Sequence, residues 1–133
     1  QMNTHFTTTV EKQSNHYYTI MSGTKKWLER FNQILEHRSE IPAFSNEQLA
    51  HALKISERDL FRKVKKATGL SPQKYLRKYR LKRAMSFLII GRYRTVKETA
   101  QAIGYSKVSY FIAQFEKEYG RTPLKILQEN GWR

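Results

Sequence analysis

The chain has 133 residues, of which 39% are hydrophobic, and a formal net charge of +14. Cysteine is absent, which excludes a disulfide framework and thiolate metal sites and favours an intracellular setting. No apolar run approaches the roughly 20 residues that cross a bilayer, and the polar N-terminus shows no secretory signal, so no membrane partner is expected. The chain begins with Gln1 rather than methionine, and we therefore expect a fragment of a longer protein.

The positive charge is concentrated in the middle of the chain. Residues 1–53 carry five Lys or Arg and five acidic residues, whereas residues 54–94 carry fourteen Lys or Arg against Glu57 and Asp59, a net charge of +12. Residues 95–133 have a net charge of +2. A field localised in this way attracts polyanions and speeds their association. Nucleic acid is therefore the first class of partner that the charge indicates.

The N-terminal part divides into a tail and a helix. Residues 1–23 show no sustained apolar period and are typical of a tail or linker. Residues 24–37 have apolar side chains on one side of a helix, which predicts the first element of a folded domain spanning residues 24–133. These side chains are Trp27, Leu28, Phe31, Ile34 and Leu35.

Residues 45–70 predict two short helices joined by a tight turn. Ser45 and Gln48 have the spacing of a capping box, and Ser56 suits the N-cap of the second helix. That second helix separates a buried stripe from a cationic one, which has the shape that enters a DNA major groove. An isolated pair of arginines at this spacing is more often a solvated helix face. The buried stripe is Leu60, Val64 and Ala67, and the cationic stripe is Arg58, Arg62 and Lys65.

A long linker helix is predicted over residues 71–90. Ser71 suits its N-cap, Pro72 its first turn, and Gly91 its end. Its apolar residues lie on more than one side, as expected of a helix between two subdomains. About 19 residues at a rise of 1.5 Å give a length of roughly 28 Å, close to the spacing of about 34 Å between adjacent major-groove faces on one side of B-DNA.

The helix pair at residues 45–70 recurs at residues 95–121. A shift of fifty positions, and of fifty-one after one extra residue, matches both the N-caps and the core positions. Such a repeat indicates that the same helix-turn-helix unit occurs twice. The matched pairs are Ser45 with Thr95, Gln48 with Glu98, Leu53 with Ile103, Ser56 with Ser106, Leu60 with Phe111, Val64 with Phe115, and Gly69 with Gly120.

Residues 28–127 resemble the DNA-binding domain of the AraC/XylS family of bacterial transcription regulators. The resemblance implies an all-α fold, a seven-helix bundle of two helix-turn-helix subdomains joined by a long linker helix. The lead-in at residues 41–45 is similar to the version found in response regulators and hybrid two-component systems. The matching residues are Leu49, Ala50, Ser56, Leu60, Arg62, Val64, Lys65, Gly69, Leu70, Ser71, Pro72, Arg80, Leu81 and Ala84, then Ala100, Ile103, Gly104, Tyr105, Ser109, Tyr110, Phe111, Phe115, Gly120, Thr122 and Pro123.

Two sets of DNA contacts are expected from the resemblance and the helix stripes. Arg58 and Arg62 are predicted to read bases, since a bidentate contact of Arg with guanine is the commonest specific readout. The base-reading set of the second unit is Lys107, Ser109, Ile112 and Ala113. Phosphate contacts are predicted for helix starts and nearby cations, namely Ser45, Asn46, Lys65, Lys66, Arg94, Thr95 and Ser106.

The chain departs from the family pattern at three positions. Ala113 stands where Arg is usual and Glu116 where a basic residue is usual, and both departures remove positive charge. The second unit is therefore expected to bind more weakly, or to read thymine methyl groups through Ala113 and Ile112. Thr99 replaces a usual aliphatic residue, which predicts looser packing unless its methyl group fills the site.

Other side chains have simpler explanations. The four histidines lack metal-ligand spacing, and Asp59 is the only aspartate, which argues against a two-metal nuclease. A base-stacking platform is the alternative to a core role for the aromatic set, but helical spacing favours the core. We expect no catalytic residue, metal or cofactor. The aromatic set is Tyr75, Tyr79, Phe87, Tyr110, Phe111 and Phe115.

The sequence therefore predicts a non-enzymatic, sequence-specific double-stranded DNA-binding domain of a bacterial transcription regulator, acting in the cytoplasm at the nucleoid. Its expected partners are operator DNA, RNA polymerase as a candidate contact, and a sensory or receiver module that this chain lacks. The alternative is a nonspecific or architectural nucleic-acid-binding protein.

Overall fold

The structure, a computed structural model, describes residues 23–37 and 45–132. Within these ranges the chain forms seven helices and no strand, which confirms the predicted all-α class. The predicted tail, except for its last residue, and the lead-in at residues 41–44 lie outside the described residues. The helices are α1 (residues 23–37), α2 (Asn46–Leu53), α3 (Glu57–Thr68), α4 (Pro72–Ile90), α5 (Val96–Ala102), α6 (Val108–Tyr119) and α7 (Pro123–Glu129).

Capping boxes start the first helix of both helix-turn-helix units. The Ser45 backbone N–H donates to Oε1 of Gln48 at 2.9 Å, and the Gln48 N–H donates to the Ser45 hydroxyl at 3.2 Å. Thr95 and Glu98 make the same two bonds at 3.1 and 3.0 Å. Each box satisfies two N–H groups that the helix itself leaves without an acceptor. The predicted repeat of N-caps is confirmed at these two positions.

The second pair of predicted N-caps, Ser56 and Ser106, is confirmed only at Ser56. Ser56 caps α3 by accepting from the Asp59 N–H at 3.1 Å, but the N-cap of α6 is Lys107, with no side-chain hydrogen bond. The extra residue in the second unit adds one position before the helix, and it leaves Ser106 outside. The prediction that Ser106 starts the second recognition helix was therefore wrong by one residue.

The linker helix α4 belongs to two separate hydrophobic cores. Leu76, in its first half, packs into the first core, whereas Leu81, Ala84 and Leu88 pack into the second. The other buried members of the first core are Phe31, Leu35, Leu49, Ala50, Leu53, Leu60 and Val64, and those of the second are Ala100, Ile103, Tyr105, Phe111, Phe115, Ile126 and Leu127. One continuous helix therefore holds both subdomains.

Thr99 fits its apolar surroundings without an unsatisfied hydroxyl. The residue is fully buried, and its Oγ1 donates to the Thr95 carbonyl at 3.0 Å. Because a buried hydroxyl is costly only when it lacks a partner, this position is compatible with a packed second core.

The aromatic set is only partly core. Phe111 and Phe115 are fully buried, and Tyr75, Tyr79 and Phe87 pack against the two cores from partly buried positions. Tyr110 is 52% exposed, so its prediction as core was wrong. It directly precedes buried Phe111, and adjacent helical positions point about 100° apart.

Trp132 is hydrogen-bonded to the C-terminal end of α4. The indole N–H of Trp132 donates to the Ile89 carbonyl at 2.9 Å. Gly91, which ends α4 with φ 66°, lies under the Trp132 ring, where an added Cβ would come closer than 3.0 Å to three ring atoms. The indole therefore satisfies one of the carbonyl groups that a helix end leaves free.

Candidate nucleic-acid interface

The side chains of α3 divide into a buried and an exposed set. Leu60 and Val64 are fully buried in the first core, whereas Arg58, Arg62 and Lys65 are exposed. The apolar stripe fixes the rotation of the helix, because turning α3 would expose Leu60 and Val64 and bury cations without partners. The cations therefore point to solvent, as a groove-reading helix requires.

Arg62 is held in place by an acidic neighbour. Its guanidinium donates to Oδ1 of Asp59 at 2.5 Å, and both side chains remain substantially exposed. This hydrogen bond is the main cause that holds the pKa of the Asp59 carboxyl below its ordinary value. The pair limits the rotamers of Arg62 and lowers the local positive charge of α3.

Phe61 is an exposed aromatic residue of α3 for which no role was predicted from sequence. This side chain is 50% exposed on α3, three positions after Arg58 and next to Arg62. Its spacing from Arg58 was the available signal, but a phenylalanine beside Leu60 is easily assigned to the core. An apolar ring on a cationic helix face is a suitable contact for a thymine methyl group.

The predicted phosphate-binding cations of α3 lie at its C-terminal end. Lys65 and Lys66 are exposed in the last turn, and Lys66 borders a surface hollow of about 310 Å³ with Arg62 and Lys63. Positive charges at this end of a helix are also stabilised by the helix dipole. Both lysines thus have a structural role in the free protein and remain available to an anion.

The second recognition helix presents a nearly neutral face. Ser109 and Ala113 are exposed, as is Lys107 at the N-cap. Ile112 is half-buried and packs against the second core, so only part of its side chain is accessible. Compared with α3, this face has less charge and smaller side chains, in line with the departures from the family pattern.

At two helix starts where phosphate contacts were predicted, side chains of the protein already accept hydrogen bonds from backbone N–H groups. At α5, Oε1 of Glu98 accepts from the N–H groups of Arg94 and Thr95, both at 3.1 Å. At α2, the Gln48 carboxamide takes the corresponding position beside Ser45, and Asn46 is half-buried. The carboxylate of Glu98 repels a phosphate, whereas the neutral carboxamide of Gln48 does not. Arg94 is exposed and can extend its side chain away from this cap.

Within residues 23–37 and 45–132, no helix combines the length and apolar character of a membrane span. No three His, Asp or Glu side chains in the same ranges come together as a set of metal ligands.

Residues 49–129 match a family model described as a helix-turn-helix domain. The chain is 31% identical over 116 residues to the HTH-type transcriptional activator RhaS of Escherichia fergusonii, covering 83% of this chain and 40% of that protein. The chain belongs to the AraC/XylS family. It spans about two-fifths of the length of the activator, and it corresponds to the family's DNA-binding domain for transcription regulation.

Solved structures of AraC-type domains have the same fold. The C-terminal domain of the two-component response regulator yesN from Fusobacterium nucleatum is 28% identical, with a TM-score of 0.69 over 77% of this chain and 98% of that one. An AraC-type regulator from Chromobacterium violaceum, 24% identical, has a TM-score of 0.73 over 83% of this chain and 96% of that one, a likeness of fold. The predicted AraC/XylS membership is thereby confirmed, and so is the resemblance to the DNA-binding domain of a two-component response regulator.

Proposed function

We propose that this AraC/XylS domain reads an operator with α3 and α6 in successive major grooves of duplex DNA. The observation that carries the proposal is the fixed rotation of α3, which places Arg58 and Arg62 outside while Leu60 and Val64 fill the core. The 19-residue helix α4 joins the two units and is roughly 28 Å long, close to one turn of B-DNA.

The two units contribute unequally. On α3, Arg58 and Arg62 read guanine and Phe61 contacts a thymine methyl group, while Lys65 and Lys66 contact phosphates and position the helix. On α6, Ser109 and Ala113 offer small contacts, and the accessible part of Ile112 adds an apolar one. We therefore assign most of the base preference to α3 and a weaker, T-rich preference to α6.

We place the regulatory signal in a module other than this DNA-binding domain. A sensory or receiver module controls the domain, RNA polymerase is the contact that changes transcription, and the site of action is the bacterial nucleoid. The yesN neighbour is named as a two-component response regulator, and this favours a receiver module over a small-molecule sensor. No enzymatic step is needed for this role.

Selection of bound duplexes from a random DNA pool tests the proposal. The selected duplex should keep its complex in an excess of random duplex of about 10³-fold or more. A nonspecific or architectural protein would instead be removed by that excess. Enrichment of no sequence by the wild-type chain would overturn the proposed function.

Arginine-to-lysine exchanges test the assigned readers. Arg58→Lys and Arg62→Lys keep the charge but lose the bidentate fork, so each should weaken the selected duplex by about 1 to 3 kcal/mol, roughly 5- to 150-fold. Preference at one base pair should relax at the same time. Arg30→Lys, an exposed exchange on α1, is the matched control and should change neither quantity.

A further inference from the structure

A cleft of about 370 Å³ separates the first half of α4 from the turn that precedes α6. We call it the inter-subdomain cleft, since its wall includes Leu76 from the first core and Tyr105 from the second. Neither the family match nor the assigned base readers explains it. Its polar wall is formed by Gln73, Arg77, Arg80, Tyr105, Lys107 and Tyr110.

The charge of the cleft is of one sign. Arg77, Arg80 and Lys107 all line it, and no carboxylate does so among the described residues. A cavity of similar volume on the opposite side of α4 is also lined by three cations, but one of them, Lys78, is paired with Glu118 at 3.3 Å. The described lining of the inter-subdomain cleft carries positive charge only and therefore attracts an anion.

The wall of the cleft also supplies directed hydrogen-bond donors. Arg77 and Lys107 are exposed and reach the cleft from opposite sides, whereas Arg80 is half-buried at its inner wall, where burial lowers the pKa of the guanidinium. The phenol groups of Tyr105 and Tyr110 add hydroxyl donors. Charged donors in a partly desolvated site bind oxyanions more strongly than the same groups in open solvent.

The position of the cleft indicates which anion it binds. Lys107 both lines the cleft and forms the N-cap of α6, so an anion held there lies beside the start of the second recognition helix. A helix in a major groove has a phosphate backbone along each side. We propose that the inter-subdomain cleft binds one backbone phosphate of the operator, held by Arg77 and Lys107, and so anchors the weakly charged α6. This inference rests on the proposed function and assigns Lys107 to phosphate rather than to a base.

Salt dependence of DNA binding tests the cleft in the full 133-residue chain. Loss of one phosphate contact should reduce the slope of log affinity against log salt by about 0.9, which we expect for the double variant Arg77→Gln/Lys107→Gln. Because both cations hold the same phosphate, each single variant should lose less than this, whereas two separate phosphates would give about 0.9 for each single variant and about 1.8 for the double variant. The sequence selected from a random pool should not change. Lys82→Gln, an exposed cation about 140° away around α4, is the matched control and should retain the wild-type slope.

Two outcomes overturn the inference. One is a double-variant slope equal to that of Lys82→Gln; if inorganic phosphate then still shifts the Tyr105 and Tyr110 ring signals in NMR spectra, the cleft is a free-anion site only. The other is a loss of about 1.8 in the double variant. Failure of the proposed function is a separate result, namely a wild-type chain that enriches no sequence. In that case, the salt dependence of each variant's binding to random duplex still shows whether the cleft binds a phosphate.

Discussion

Arg62 and Asp59 form a hydrogen-bonded ion pair of 2.5 Å on the exposed face of α3, one helical turn apart. An arginine proposed to read guanine is thus oriented by an acid that itself repels DNA. This pair can raise selectivity in two ways, since it reduces the rotamers of Arg62 and lowers the attraction of random duplex.

Neutralising the acid should separate affinity from selectivity. Asp59→Asn removes a negative charge from the groove-facing helix, so affinity for random duplex should rise, while Arg62 loses its charged partner. The ratio of selected to random affinity should fall by at least about fivefold, the lower end of one bidentate contact. Equilibrium titration of both duplexes measures it. Glu129→Gln is the control, because it removes an acid of α7 that pairs with Arg121. It should leave the ratio as in the wild type.

The same pair has a pH signature in the free protein. The Arg62 hydrogen bond lowers the pKa of the Asp59 carboxyl below its ordinary value of 3.8. A group with a depressed pKa in the folded state adds stability above its unfolded pKa and loses it as the pH falls through the folded pKa. Titration of the Asp59 carboxyl carbon by NMR should show a return toward 3.8 in Arg62→Gln. In Arg58→Gln the lowered pKa should persist, and a rise there would contradict the pairing.

The contact between Gly91 and Trp132 predicts a coupled effect on stability. Gly91→Ala places a residue with a Cβ at φ 66° and against the indole ring, so it should cost more than the roughly 1 to 2 kcal/mol of the left-handed conformation alone. In a Trp132→Ala background only the conformational cost should remain. Urea unfolding of the four chains gives the coupling energy. Equal costs of Gly91→Ala in both backgrounds would show that the ring does not press on this position.

The turns of the two helix-turn-helix units differ at one repeat position. Lys54 adopts the left-handed region at φ 60°, where the second unit has Gly104 at φ 98°. Lys54→Gly should raise the free energy of unfolding by about 0.5 to 1 kcal/mol, since relief of strain exceeds the entropy of the added glycine. Gly104→Lys, the reciprocal exchange, should lower it by about 1 to 2 kcal/mol or more. Destabilisation by Lys54→Gly would refute the strain at the first turn.

Local features of this fold were predictable from sequence. The partners of each capping box lie three positions apart, so Ser45 with Gln48 and Thr95 with Glu98 can be recognised without a structure. The end of α4 at Gly91 follows in the same way from the left-handed preference of glycine. The outward direction of Arg62 follows from the spacing of the apolar stripe that buries Leu60.

Features that depend on distant parts of the chain were not predictable. Trp132 meets Ile89 across 43 residues, and no periodicity indicates that contact. Tyr110 was assigned wrongly to the core, and no role was predicted for Phe61, because helical spacing of aromatic residues does not by itself tell a core ring from an exposed one beside it. The inter-subdomain cleft requires both cores to be placed on α4, so Arg77 and Lys107 come together only in the folded chain.

The shared helix α4 also restricts which operators this domain can accept. Leu76 and Leu88 belong to different cores on one continuous helix, so the two recognition helices cannot separate without breaking a core. One inserted base pair between the contacted segments would shift them by about 3.4 Å and turn one relative to the other by about 35°. Only twisting of the duplex can compensate for that mismatch. The domain therefore fixes both the distance and the rotation between the two contacted DNA segments. Its operators should vary in base sequence far more readily than in length.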